Sequence, residues 1–520
     1  MYTSIAPGPN YCNSRIPVQS ELKIQNWYTY KQIIDKIDPT LLVQLECGFT
    51  MGIDTSIEIN IPVTNHLSAR KEYSVIDDFV VKHYESGAIL GPYFTNPFPV
   101  NAKPSPMQVA TSASGKKRPV LDMSYPTGKS INNAIPQNWS DIQGFDGEFR
   151  LPTHDKICNA IVSTPEPRMF ITDMKHYYMQ IPSDWADTPL MCFTWRGALW
   201  LHRRLPFGAR SSCLHAQRVT DVITAIFTSQ SKQHMDGYVD DCASIVTLII
   251  SHQAYAFFHW LLDYLGVARS VDKDQCPDLL RVFLGLLYNL SDMVMTIPED
   301  KLHRALKLLN DWLLKETCTK AQVQSLLGHL NHFSAVVHAG RPFTARIVDL
   351  LREEEFPAPV PSDLKQDISM WIEFMQNDFS RSSIIKSQDL TPPDNTLRLA
   401  INGQTFVIEV QGKTFPFVLN SDMPHFPPHA MFAIAAWKAS MDHAAEFAGL
   451  VVKVTVPTKA AALVINRAKT QVDSLRVLIR EMWCQQAKYD FVIKACVQSN
   501  NNKCELYAEF HDFQPINIPL

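Results

Sequence analysis

The 520-residue chain is 46% hydrophobic and 19% charged, so it can bury several cores and is not a disordered tail. Its net charge of −4 excludes a globally basic nucleic-acid binder, and any such surface has to come from local clusters of cations. The length suits about three or four domains, and the eleven cysteines include no C-x-x-C pair, which argues against a disulfide framework or a zinc site and for reduced thiols.

No repeat of solenoid or propeller period is present. The opening "MYTSIAPGPNYCNSRIPVQSEL" lacks the charged-then-apolar pattern of a signal peptide. The most apolar stretch, Cys242 to Ile250, is too short to span a bilayer. The expectation is a soluble, intracellular protein in the cytoplasm or nucleus, with no membrane partner. Residues 1–65 form a mixed extension around a helical "SELKIQNWYTYKQIIDKI". From residue 66, "SARKEYSVIDDFVVKHYESGAI" reads as an amphipathic helix running into the proline-dense, extended "LGPYFTNPFPVNAKPSP". "MQVATSASGKKRPVLDMSYP" reads as strand, turn and strand, with Lys116, Lys117 and Arg118 just past the turn.

Between 168 and 300, apolar runs alternate with helices. Strands are expected around Met169–Thr172, Gly237–Ile250 and Arg281–Tyr288, and helices at "ITAIFTSQSKQ" and "AYAFFHWLLDYLG". From 300 to 355 the periodicity is helical, and Val323, Leu326, Leu327, Leu330 and Phe333 fall on one face. "FPAPVPSD" and "SQDLTPPDN" read as linkers. From Leu397 onward a new α/β pattern begins, with a helix expected at Met431–Met441 and a single one at Lys459–Ala487.

The chemistry concentrates in "MDGYVDDCASIV", where Asp240 and Asp241 adjoin at the edge of an apolar run. Taken alone this is an acidic turn. "MFITDMKHYYMQIP" adds Asp173 directly after another apolar run. Carboxylates from two segments converging on a pair of Mg²⁺ ions are what two-metal nucleotidyl transfer requires. They repel one another unless a cation neutralises them. Between the two acidic segments, "HRRLPFGARSS" carries a tight turn whose Gly208 allows a base pair or template strand to approach the backbone.

In order, the Arg118 hairpin, the Asp173 strand, LPFG, YVDD, Lys273 and FLG resemble the successive motifs of a reverse transcriptase. Longer phrases, "ESGAILGPYFTNPFPVNAKPSP", "LDMSYPTGKSINNAIP" and "VQSLLGHLNHFSAVVHAGRPFTARIVDLL", resemble the polymerases of DIRS-like, tyrosine-recombinase retrotransposons over roughly residues 45 to 380. The resemblance implies an α+β right-hand polymerase of fingers, palm and thumb. A 1–65 extension precedes fingers with part of the palm (66–168), palm with a fingers insertion (169–298), a helical thumb (299–355), a connection (356–394) and an RNase H-like α/β domain (395–520).

It further implies that Asp173, Asp240 and Asp241 are catalytic and bind two Mg²⁺ ions, with Mn²⁺ as a substitute. Arg118 and Lys117 would hold the dNTP phosphates, and Tyr178 would be the steric gate against a 2′-hydroxyl. Phe207 and Gly208 would pack on the nascent pair, Lys273 would sit by the leaving pyrophosphate, and Phe283, Leu284 and Gly285 would begin the primer grip. Implied partners are an RNA template, a DNA or RNA primer, an RNA–DNA hybrid and dNTPs, and a separate recombinase or other element-encoded proteins are further candidates.

Three positions depart from the pattern. Thr111 stands where a phosphate-binding lysine is usual, so Lys116 or Lys117 has to substitute. Tyr177 is bulky where a small residue is usual and is expected to crowd the nucleotide pocket. The proline usual after the LPFG serines is absent. In the C-terminal region Asn402, Ala430 and Pro457 occupy positions where nuclease acids are expected, and only Glu505 retains one, so RNase H activity is expected to be absent. The competing readings are a decayed or domesticated element protein that binds nucleic acid without polymerising, and an RNA-directed RNA polymerase. The paired acids suit the latter, but the aromatic at 178 argues for deoxynucleotides.

Overall fold

The structure, a computed structural model, describes residues 20–61, 64–112, 115–138, 149, 151–377, 381–385, 396–402, 405–410, 413–418, 428–448, 450–468, 470, 472–489, 491–498 and 504–505. The chain divides into two compact units, residues 1–153 with 164–278, and residues 154–163 with 279–520.

The first unit begins with short helices α1 (Ile24–Tyr28), α2 (Lys31–Ile37), α3 (Leu41–Cys47) and α4 (Leu67–Lys71), then α5 (Tyr73–Glu85). The expected single helix after residue 66 breaks at Glu72, whose non-helical backbone ends α4 and caps α5. β1 (Ile89–Tyr93), β6 (Ala198–His202) and β5 (Cys192–Trp195) form one antiparallel sheet, and β2 (Met107–Thr111) pairs with β3 (Lys117–Leu121) as the expected hairpin.

The sheet that matters most has the order β7 (His234–Tyr238), β8 (Asp241–Thr247), β4 (Pro167–Asp173), β9 (Gln275–Asp278). Helices α7 (Ser212–Ser231) and α8 (Ser251–Leu265) belong to the same unit. Thirteen residues of α7 are buried, including Gln217 and Thr220. The α7 and α8 side chains Val219, Ile223, Phe227, Phe258 and Leu262 share one core with Phe170 of β4 and Cys242 and Val246 of β8. The expected strand Gly237–Ile250 is instead a hairpin, because Val239 takes a left-handed conformation (φ 54°) that reverses the chain between β7 and β8.

The second unit takes helix α6 (His154–Ser163), which follows β3 in the chain, together with everything after Asp278. β10 (Leu280–Phe283), β11 (Leu286–Asn289), β12 (Val294–Thr296) and, later in the chain, β15 (Ser382–Ile384) form an antiparallel sheet. The run expected as one strand, Arg281–Tyr288, turns at Leu284 and Gly285, both with positive φ. That is the two-residue hairpin geometry that suits strand twist.

Helices α9 (Glu299–Leu314), α10 (Lys320–Phe333) and α11 (Ala345–Leu350) follow, with β13 (Thr317–Cys318) paired to β14 (Ala358–Pro359). The apolar face expected for α10 is its buried face, and Thr319 caps it with Gln322 in a reciprocal box. Part of the span expected as a linker is helix α12 (Ser362–Gln376), because Leu364, Ile368, Trp371 and Met375 recur at helical spacing and are buried.

The last part of the chain carries the order β18 (Lys413–Val418), β17 (Thr405–Val410), β16 (Thr396–Asn402), β19 (Val451–Val456), β20 (Val492–Gln498), β21 (Cys504–Glu505). β16 and β19, and β19 and β20, run parallel, and the other pairs antiparallel. Helices α13 (Pro428–Phe447), α14 (Lys459–Arg467) and α15 (Asp473–Tyr489) accompany this sheet. The single helix expected over 459–487 is two, because Ala468 caps the first in a left-handed conformation. Asp367 of α12, 1% exposed, is bound by Arg346 of α11 at 2.7 Å and by Arg480 of α15 at 2.8 Å. Among the described residues no helix is long and apolar enough to cross a membrane.

Candidate active site

β4 ends at Asp173, with Met169, Phe170 and Ile171 buried behind it. Its antiparallel partner β8 begins at Asp241, and the register sets Asp173 directly opposite Asp241. Asp240 stands one residue earlier, in the turn, and its carbonyl accepts from the Met174 N–H at 2.8 Å. The register therefore gathers all three aspartates at one strand end, with Asp173 9% exposed and the other two half-buried.

Crowding shows in their acidity. Burial, then the charges of Asp240 and Asp173, push the Asp241 carboxyl up to about 6. Burial and Asp173 raise Asp240, with Lys273 and Arg118 acting in the opposite sense. Lys273, on the short 3₁₀ turn Val271–Lys273, sets Nζ 2.8 Å from the Asp173 Oδ2. That bond holds the ammonium above the usual lysine range.

The donors suit a hard divalent cation, since they are carboxylate oxygens whose mutual repulsion such an ion relieves. Among the described residues no three His, Cys, Asp or Glu side chains are already gathered as a metal cluster. That is compatible with Mg²⁺, which is usually held by one or two carboxylates plus substrate oxygens and water.

Because the Asp241 acid is raised in the fold, its contribution to stability is full below the unfolded aspartate value and is lost as pH rises through about 6. Asp241→Asn is therefore expected to melt above the wild type at pH 7.5 in a chelating buffer, with the gap closing near pH 4. A rise from the ordinary aspartate value to about 6 bounds the gain at ~3 kcal/mol, and partial exposure reduces it to about 1–2 kcal/mol. A thermal melt at the two pH values checks it. A variant that melts below the wild type at pH 7.5 contradicts the crowding described.

The other expected residues divide. Tyr178 and Phe207 rings meet at 4.8 Å, tilted by 42°. Burial and the neighbouring Cys213 raise the Tyr178 phenol. Arg118 is exposed on β3, near enough for its charge to act on Asp240. Lys117 lies across from Thr111 but is paired to Glu72 at 2.7 Å, so its charge is already engaged.

Gly208 admits protein backbone. A Cβ there would lie 1.9 Å from the Leu121 carbonyl oxygen of β3. Tyr177, expected to crowd the pocket, is instead 3% exposed within the core, its hydroxyl 2.9 Å from that of Thr220. In the second unit, the Phe283–Gly285 turn is held by Lys301, whose Nζ donates to the Gly285 carbonyl at 3.1 Å. Of the C-terminal positions, Asn402 ends β16, Ala430 is fully buried in α13, Pro457 follows β19 and Glu505 lies in β21. The side chains of Asn402 and Glu505 lie outside the described residues.

No protein-family model matches the chain, and no curated protein sequence does. Among solved structures, the foamy viral protease–reverse transcriptase dRH in complex with ds DNA superposes with a TM-score of 0.50 at 15% identity, over 92% of this chain and 83% of that one. The fold is reverse-transcriptase-like. The foamy viral protease–reverse transcriptase with RNA/DNA hybrid gives 0.49 at 14% identity (92% of this chain, 61% of that one), and with dsDNA 0.46 at 15% (93% and 95%).

Within this reverse-transcriptase-like fold, sequence reading missed the groups that hold the acidic turn. Gln217 of α7, 1% exposed, donates from Nε2 to the Gly237 carbonyl at 2.9 Å and accepts the Val239 N–H on Oε1 at 2.8 Å. The Thr220 hydroxyl also bonds the Val239 carbonyl. Val239 is β-branched and left-handed, a costly conformation that persists only where its surroundings impose it. A Cβ on Gly237 would come 2.1 Å from Thr220 Cγ2, so that glycine lets the hairpin lie against α7. Gln180 likewise ties the strand end to Ala268, accepting its N–H at 2.7 Å and donating to its carbonyl at 2.9 Å. The available signal was slight: Gln180 is the one amide in the largely apolar "YYMQIP", whereas Gln217 in "LHAQRV" stands among other polar residues, His215 and Arg218.

Proposed function

We propose that the chain is an RNA-directed DNA polymerase of a retroelement, joining a dNTP to a primer 3′-hydroxyl on an RNA template. The observation that carries this is the β4–β8 register, which pairs Asp173 with Asp241 beside Asp240 inside a reverse-transcriptase-like fold. In this reading the first unit supplies fingers and palm, and helices α9 to α11 the thumb.

A bound pair of Mg²⁺ or Mn²⁺ ions supplies activation of the 3′-hydroxyl and neutralisation of the triphosphate, and Asp173, Asp240 and Asp241 are the residues that hold it. Lys273 keeps a positive charge beside Asp173 where pyrophosphate departs. Arg118 faces the phosphates, and the Tyr178–Phe207 pair forms the wall against which the sugar packs and a 2′-hydroxyl is refused. The Phe283–Gly285 turn is the primer grip.

The order and directions of β16 to β20, three antiparallel strands followed by two added in parallel, support an RNase H-like domain. Asn402, Ala430 and Pro457 at the acid positions make it a nuclease without activity. The long phrases around the motifs favour a DIRS-like origin.

The test is primer extension by the purified full chain with Mg²⁺ on an RNA template, comparing dNTPs with rNTPs. Extension with dNTPs in clear preference to rNTPs is expected. Incorporation at background level, or of ribonucleotides preferentially, overturns the assignment.

A further inference from the structure

His176 follows Asp173 by three residues and adopts a left-handed backbone (φ 47°), unfavourable for a non-glycine residue. Its ring is exposed, and Lys82 Nζ from α5 lies 2.6 Å from Nε2. An ammonium only donates, so Nε2 is the accepting nitrogen of a neutral ring. His83, the next residue of α5, meets the His176 ring edge-on at 6.2 Å. Lys175 is its chain neighbour, and Lys116, from the β2–β3 turn, is near enough for its charge to act on the same ring.

Lys82 bonds the imidazole, and the charges of Lys175, Lys116 and the Asp173-bound Lys273 also act on it. Apart from Lys273, these are three exposed lysines from separate segments. Among the described residues none of the three is paired with a carboxylate, whereas Lys117 and Lys273 are engaged by Glu72 and Asp173. A chain of net charge −4 does not gather unpaired cations around one point by general basicity. Cations at exposed sites repel one another, and holding Lys82 on His176 rather than in free solvent fixes that charge toward the others.

We propose that Lys82 and His176, with Lys116 and Lys175, form the pocket for the terminal phosphates of the incoming nucleoside triphosphate. The proposal rests on the polymerase reading above and adds to it a pair of recognition residues. A compact polyanion suits cations that converge on a point. A nucleic-acid backbone calls for a row of cations, since its charges are strung along an axis.

The test uses the full chain with Lys82→Gln and His176→Ala, both at exposed positions. Three quantities are read: the affinity for inorganic tripolyphosphate by calorimetry, the KM for dTTP in primer extension, and the affinity for a primed RNA template by fluorescence anisotropy. Lys82→Gln is expected to weaken tripolyphosphate and raise KM by about fivefold, with template affinity kept within twofold. His176→Ala is expected to act in the same direction, by releasing Lys82.

Unchanged tripolyphosphate affinity in both variants overturns the proposal, and so does a loss that falls on the primed template instead. If the wild type extends no primer while tripolyphosphate binding still falls in the variants, the polymerase reading fails and the phosphate pocket stands. If extension proceeds with neither KM nor tripolyphosphate affinity altered, the pocket alone is wrong.

Discussion

Asp240→Asn is expected to reduce template-directed incorporation by at least ~100-fold, the scale on which a single electrostatic group at a reacting centre is felt. The substitution keeps the shape of the side chain and removes one negative charge from three that share a strand end. The hairpin should survive it, because what Asp240 contributes to the turn is its carbonyl, accepting the Met174 N–H. Removing the charge also relieves the burial and repulsion that raise the Asp240 carboxyl. The variant is therefore expected to be no less stable than the wild type, so lost activity cannot be ascribed to unfolding. Single-turnover incorporation beside a thermal melt decides it, and a variant that incorporates at the wild-type rate removes Asp240 from the chemistry.

Gly208→Ala is expected to cost about 3–5 kcal/mol. Two effects combine. At φ 118° an L side chain is strained, and the added Cβ would stand 1.9 Å from the Leu121 carbonyl oxygen and 3.0 Å from its carbon. Neither atom can rotate away, because both are backbone. The strand is fixed there in addition by the Leu121 N–H donating to the Phe207 carbonyl, and by Asn132 donating to the Gly208 carbonyl at 2.7 Å. Gly197→Ala is the control. Its φ is also positive, at 77°, but nothing lies within 4 Å of the added carbon, so about 1–2 kcal/mol is expected. Urea midpoints of the two variants measure the difference, and equal losses would mean that the contact with β3 is not what demands glycine.

Gly208 marks the limit of what a local pattern carries. The LPFG turn and its need for glycine were legible from composition, but the group pressed against it was not. Leu121 belongs to a strand far earlier in the chain, and no local pattern links the two. The apolar run ending at Asp173 gave β4 to within two residues at its start, and the helical spacing of Val323 to Phe333 gave the buried face of α10.

The acidic hairpin was harder. The largely apolar run after Asp241 hides a reversal at Val239 that is held by the Gln217 side chain, which accepts the Val239 N–H and donates to the Gly237 carbonyl from twenty-two and twenty residues away. Periodicity cannot report a clamp of that kind. Tyr177 misled for a related reason, since its position after β4 suggested the pocket while Thr220 draws its hydroxyl into the core. The three carboxylates needed only the right register, and alternation could not supply it, because Cys242 to Val246 of β8 are buried on both faces of the strand.

The most direct test of the whole account is the sequence of the product made by the wild-type chain on a primed RNA template of mixed sequence, with Mg²⁺ and all four dNTPs. The account predicts extended primers whose added nucleotides are the DNA complement of the template, read to its end or to a defined stop. No extension, or a tail unrelated to the template, would contradict it.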